Sequence, residues 1–299
     1  MTAIRTVLCP IDLTPLSERA LDLAISLCRK LGARLILEHN LDARPPGYLG
    51  VSWMWSMEHE GEARENAERG TLEVRRLLSR VPSSLEPEAR LTRGPVAETL
   101  LQVARELPAD LLVMGTHGPT TAEHRSLTER IVSEGPCPVL TLGEGYEPNR
   151  VLGALEGKPP EELSVVVPSD FSPASQAALD FAVALAELMP HRLVLVHALR
   201  PGKASNSEVA ARRKELSALV PEHLTNRTTC EVRVGHAAPA IREAAREHEA
   251  LFVLMAGHGK GALKRLVFGS TTLDLLRSCD CPVLFLPPHT TPERKGSPR

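Results

Sequence analysis

Two stretches of this 299-residue chain are near-copies of each other, and that repetition limits the fold more than any other feature. TVLCPIDLTPLSERALDLAISLCRKLGARLILEHNL begins at Thr6, and SVVVPSDFSPASQAALDFAVALAELMPHRLVLVHAL begins at Ser164. Asp12 matches Asp170, Pro15 matches Pro173 and His39 matches His197, each pair 158 residues apart. Farther on, Gly94 matches Gly235 and Gly118 matches Gly259 at a separation of 141, and PCPVLTL matches DCPVLFL with Cys137 and Cys281 144 apart. The separations imply 17 extra residues after the second strand of the first copy and three missing from its later loop. A duplication on this scale predicts two similar domains of about 150 residues each. The expected boundaries are 1–145 and 160–288, with a linker near 143–163, an insert at about 41–62 in the first copy and a disordered tail at 289–299.

Within each copy strand and helix patterns alternate. VVVP is a β-branched run of the kind buried on both faces of a parallel sheet. Ser172-Pro173 supplies a helix N-cap and a proline at the first helical position, and Thr14-Pro15 repeats the device. After Pro173 the apolar residues Leu179, Ala182, Val183 and Ala186 share one helix face. RLVLVH reads as the second strand. Helices are expected near 207–220, 239–248 and 270–278, with strands near 229–234, at LFVLMA and at PVLFL. Five strands with intervening helices predict, for each copy, an α/β doubly wound parallel sheet, because each crossover covers a face and turns right-handed.

Composition narrows the function classes. A formal net charge of −2 gives no basic field for nucleic acid or an anionic membrane. Aromatics at 3% are too few for a base-stacking surface. No apolar run approaches the ~20 residues of a membrane span, and the N-terminus reads as a strand rather than a signal peptide. A cytoplasmic location is therefore expected. The six cysteines form no C-x-x-C pair, and Cys279 and Cys281 flank Asp280 with poor spacing for a lone zinc or redox site. Inert thiols, and no structural metal, are expected.

The ordered set of P-x-D, LVLVH, a glycine before the third helix, a G-x-x-G-like turn, G-S and C-P-V-L, found twice, resembles the universal stress protein family in tandem. The resemblance implies two flavodoxin-like (Rossmann-like) five-stranded sheets with strand order 3-2-1-4-5. It implies a stress-response role. The family has a nucleotide-binding branch, resembling G-x-x-G-x9-G-[ST], and a branch without that motif that does not bind ATP.

In the second copy Ala256, Gly257, His258 and Gly259 follow a strand, and nine residues then separate Gly259 from Gly269-Ser270. Glycines let backbone amides approach an anion, and Ser270, Thr271 and Thr272 open a helix whose N-terminus carries free N–H groups. Lys260, Lys264 and Arg265 add positive charge. Ala256 stands where the binding branch has its first glycine. In the first copy Arg125-Ser126 fall where Gly269-Ser270 stand; an arginine there is expected to be excluded from a glycine-only conformation and to plug the pocket mouth, with Pro119 and Glu123 adding further obstacles. By resemblance Asp170, beside Pro168, contacts the adenosine part of a nucleotide, and Ala198, just after the second strand, offers backbone groups to adenine. The competing reading of Asp12 and Asp170 is local turn stabilisation. His39 and His197 read as histidines bonded to backbone, and His117 and His258 lie in the loops.

The expected ligand is ATP or a related adenine nucleotide, with or without magnesium, bound in the second copy, with the first copy retired. No nucleophile–base–orienter set is supported, so no dedicated enzyme is expected. A nucleotide-free interaction module stays open as the alternative, its surfaces being the sheet edges and the insert with Tyr48, Trp53 and Trp55. A protein partner of unknown identity, an internal pseudo-dimer through PVLTL and PVLFL, and a homodimer complete the expectations.

Overall fold

A computed structural model of the chain describes residues 4–42, 60–116, 122–256 and 269–287. Its contacts divide the chain into two units, residues 2–144 and 145–299. The first unit contains β1 (Thr6–Pro10), α1 (Pro15–Leu31), β2 (Arg34–Asn40), α2 (Glu60–Arg80), β3 (Glu88–Thr92), α3 (Val96–Glu106), β4 (Leu111–Gly115), α4 (Ala122–Glu134) and β5 (Val139–Leu142). Its strands are parallel in the order β3-β2-β1-β4-β5, the expected 3-2-1-4-5. The second unit contains α5 (Pro148–Gly157), β6 (Ser164–Pro168), α6 (Pro173–Leu188), β7 (Arg192–Leu199), α7 (Asn206–Ala218), β8 (Thr228–Val234), α8 (Ala237–Glu247), β9 (Phe252–Ala256), α9 (Ser270–Ser278) and β10 (Val283–Leu286). Its parallel order is β8-β7-β6-β9-β10.

The local devices work as their chemistry predicts. Thr14 Oγ1 accepts from the Ser17 amide and Ser172 Oγ from the Ser175 amide, each capping a helix that opens on proline. Central strands carry the core: Val165, Val166 and Val167 are wholly buried, as are Leu35, Ile36 and Leu37. Burying such side chains on both sheet faces, at about 1.5–3 kcal/mol each, is what fixes a central strand in place.

One expectation is corrected. The segment 143–163, expected to be a linker, holds helix α5, whose residues Val151, Ala154 and Leu155 are buried. Their i, i+3, i+4 spacing is a helical apolar stripe. Among the described residues no helix is long and apolar enough to cross a membrane.

Candidate functional site

In an open parallel sheet the crevice lies beyond the carboxyl ends of the strands, where the order reverses. In the second unit that point is the end of β6, between β7 and β9. Pro168 ends β6, half-buried. The chain then turns through Ser169, Asp170 and Phe171. Asp170 Oδ1 accepts from the Ser172 amide at 3.0 Å, and Phe171 has φ 61°. The same turn recurs in the first unit: Asp12 Oδ1 accepts from the Thr14 amide and hydroxyl at 3.0 and 2.6 Å, and Leu13 has φ 64°. A bulky residue in the left-handed region costs energy and persists only where surroundings enforce it. The aspartate's bond across the turn is one enforcer, so its local structural role is real in both copies.

The histidines are a second enforcer. His197 Nδ1 donates to the Ser169 carbonyl at 2.8 Å and His39 Nδ1 to the Ile11 carbonyl at 2.7 Å. Each ties the second strand of its unit to the residue after the first, as the reading of backbone-bonded histidines expected. The His197 ring also lies 4.8 Å from that of Phe171, and the Arg212 guanidinium, from α7, sits 5.7 Å over the same ring.

Ala198 lies inside β7 rather than just after it. The ladder with β6 stops at Pro168 and Val196, whereas the ladder with β8 continues through Leu199 and Val234. Along a parallel strand successive residues direct both backbone groups to alternate sides. The Val196 carbonyl accepts from Ser169, on the β6 side, and the Leu199 carbonyl accepts from Gly235, on the β8 side. Ala198 shares the parity of Val196. Its amide and carbonyl therefore point toward the side where β6 has already ended. The sequence reading put Ala198 just after the strand; the strand in fact runs one residue past it, through Leu199.

At the other wall, Ala256 is the last, half-buried residue of β9. Its counterpart in the first unit is Gly115, where an added Cβ would meet Leu16 of α1 at 2.9 Å. The residue matching Leu16 in α6 is Ala174, and α6 packs on β9. The exchange of Gly115 for Ala256 is thus accompanied by the exchange of Leu16 for the smaller Ala174.

Gly269 caps α9 with φ −68° and ψ 166°, and Ser270 and Thr271 begin the helix. Glycine has no side chain to satisfy the first-turn amides, and among the described residues a Cβ at Gly269 would meet nothing within 4 Å. This corrects the sequence reading. The backbone at Gly269 is ordinary extended chain that arginine adopts freely, so a glycine-only conformation is not what Arg125 loses. In the first unit α4 already starts at Ala122, so Arg125 and Ser126 lie within the helix and their amides bond back along it. The first unit has moved its helix start by a turn. Gly257, His258, Gly259, Lys260, Lys264 and Arg265 lie outside the described residues, as do His117, Gly118, Pro119, Tyr48, Trp53, Trp55 and the tail from 289.

The profile of the universal stress protein family matches residues 3–142 and again 163–287. The chain belongs to the universal stress protein family. The two matched segments agree with two tandem universal stress domains. A universal stress protein encoded in the QAH/OAS sulfhydrylase 3' region of Thermus aquaticus is 34% identical over 141 residues, spanning 46% of this chain and 98% of that protein. A universal stress protein of Archaeoglobus fulgidus has the same fold over nearly both lengths, 96% of this chain and 99% of that one, at 17% identity and a TM-score of 0.62. A functionally unknown protein from Pseudomonas aeruginosa PAO1 covers 97% of this chain and 94% of its own at 16% identity, with a TM-score of 0.55.

The first universal stress domain differs from the second in ways that the motifs do not announce. Asn40 occupies the position of Ala198. Its Nδ2 donates to the Gly94 carbonyl and to Thr99 Oγ1, both at 3.0 Å, and its Oδ1 accepts from the Asp42 amide. Asp42 in turn accepts from the Gly94 amide and from Arg93. Helix α2 lies over this edge: an added Cβ at Gly70 would fall 2.5 Å from His39 Nε2. His39 and Asn40 are buried there, whereas His197 and Ala198 are half-exposed. Burial pushes the His39 imidazole below its usual range, so it is neutral at neutral pH. In the first domain these polar groups bond one another at the edge where the second carries only Ala198.

Proposed function

We propose that the second universal stress domain binds an adenine nucleotide and that the first does not. The observation that carries the reading is Ala198, whose backbone amide and carbonyl are aimed past the end of β6. Such a pair presents one donor and one acceptor. Adenine's N7 and N6 amino group present the complementary acceptor and donor, whereas guanine has two acceptors on that edge. On the β9 side, the start of α9 at Gly269, Ser270 and Thr271, with no side-chain cap at Gly269, supports phosphate binding, because helix N-termini carry free amides and the positive dipole end.

In this reading the Asp170 carboxylate, held in its turn, sits on the sugar side, since a carboxylate repels phosphate. Pro168 and Ala256 shape the walls, and Gly257 and Gly259 supply loop amides. ATP is the expected ligand, with or without magnesium. The protein acts by occupancy, changing shape or partners, rather than by turnover. Titrating the purified full chain with ATP and with GTP tests this. ATP binding with GTP weaker by at least about tenfold is expected from one mismatched hydrogen-bond pair. Equal affinity for both would contradict adenine recognition at Ala198, and binding of neither would favour the nucleotide-free interaction module instead.

A further inference from the structure

The sequence spacing of Cys279 and Cys281 promised nothing, but the fold brings their sulfurs to 3.5 Å. The turn between α9 and β10 does this. Cys279 ends α9, its amide bonded to the Leu275 carbonyl at 2.9 Å, and Cys281 follows one bend later. Both are free thiols and both are buried.

Asp280, between them, accepts from Arg150 at 2.9 Å and from Arg246 at 3.0 Å, one guanidinium on each carboxylate oxygen. The Glu147 amide donates to the Asp280 carbonyl at 3.0 Å. The turn is thus clamped from α5, from α8 and from the segment before α5. Three potential ligand atoms, from Cys279, Asp280 and Cys281, lie within 4.8 Å of one another. A metal is nonetheless a poor occupant, because both carboxylate oxygens are engaged and two fixed cations stand beside the site. Arg150 favours an anionic sulfur there, against the Asp280 carboxylate and burial. The Cys281 thiol, hydrogen-bonded to Cys279, holds the Cys279 thiol below its usual range, and Cys281 is itself pushed well above. Arg150 lowers both, and its Nε is buried without a hydrogen-bond partner. Elsewhere burial does the opposite: Cys28 and Cys137 are pushed up to about 12.

We propose that Cys279 and Cys281 are a peroxide-sensitive dithiol that closes to an intramolecular disulfide. The Cys279 thiolate attacks one oxygen of the peroxide; the O–O bond breaks and hydroxide leaves, giving a sulfenic acid. Cys281 Sγ then attacks that sulfur and its proton leaves with the hydroxyl as water. Two electrons pass from the dithiol to the peroxide, and a thiol reductant reverses the change. The oxidant must be small, because both residues are buried. Opening of the last turn of a helix suffices for a molecule little larger than water. The proposal is independent of nucleotide binding.

The experiment exposes the reduced full chain to hydrogen peroxide at neutral pH, with alkylation after denaturation and peptide mapping over time. Cys230 is the comparator, being half-buried and without a neighbouring thiol within hydrogen-bond reach among the described residues. The expected result is that the 279–281 peptide loses both alkylation sites and two hydrogens at least about tenfold faster than Cys230 is consumed. Dithiothreitol restores both sites. In Cys281→Ser the same treatment leaves Cys279 as a sulfenic acid that a 1,3-dione probe captures. If Cys230 reacts first, or if Cys279 and Cys281 stay alkylatable, the proposal is overturned.

Discussion

Glu38 carries a carboxyl group in the middle of a parallel sheet, 2% exposed, with the Thr92 hydroxyl donating to it at 2.6 Å. Burial pushes its pKa up to about 7, and the Thr92 bond only partly opposes that. The unfolded chain releases this proton at the ordinary carboxylate pKa, near 4.5. Between those values the folded state holds the extra proton, so stability falls as pH rises through the window, and the loss is complete above it. Glu38→Gln keeps an oxygen for Thr92 and removes the charge. Its melting temperature is expected to exceed that of the wild type at about pH 8, with the difference vanishing toward pH 4.5. A variant less stable than wild type at the higher pH would contradict this. A second residue-scale prediction concerns Arg150, whose loss leaves the buried Asp280 carboxylate with Arg246, a side chain 69% exposed. Arg150→Ala is expected to cost roughly 1–3 kcal/mol in a denaturant titration, below the 3–5 of a buried pair left with no partner.

At the scale of the element, two helix glycines separate packing from propensity. In α2, Gly70 faces a histidine ring that its bond to Ile11 prevents from moving away. Alanine there gains about 1 kcal/mol of helix propensity but meets an overpacking cost of about 1–3 kcal/mol. In α5, a Cβ at Gly153 meets nothing within 4 Å. Thermal melts are therefore expected to show Gly70→Ala destabilised and Gly153→Ala stabilised by about 0.5–1 kcal/mol. Both proline-led N-caps were legible in the sequence, because duplicated Asp-x-[Ser/Thr]-Pro turns mark them directly, and the strand order followed from the resemblance to the universal stress protein family. Helix α5 was not, since Gly145, Pro148, Gly153, Gly157, Pro159 and Pro160 read as a linker and the stripe at 151, 154 and 155 is short. Nor was the early start of α4: aligning back from Cys137 fixes residue correspondence but not where a helix begins. The ordinary φ of Gly269 and the exchange of Leu16 and Gly115 for Ala174 and Ala256 needed the fold, because each depends on what lies across from the residue rather than beside it.

For the molecule as a whole, a duplicated family domain has diverged into two unlike copies. In the first, Asn40, Asp42, Arg93 and Thr99 bond one another at the edge where the second has Ala198. The first also has its helix start displaced past Arg125 and Ser126. On the proposed reading a chain built this way takes one nucleotide, not two, and Arg125→Gly is expected not to revive the first site, because the start of α4 at Ala122 is unchanged by it. The most direct test is calorimetric titration of ATP into wild type, Arg125→Gly and Gly269→Arg. The last places a cationic side chain at the start of α9 in a backbone conformation it tolerates. One site per chain is expected in the first two proteins, and none in Gly269→Arg at unchanged melting temperature. Undiminished binding in Gly269→Arg, or no binding in the wild type, would contradict the account.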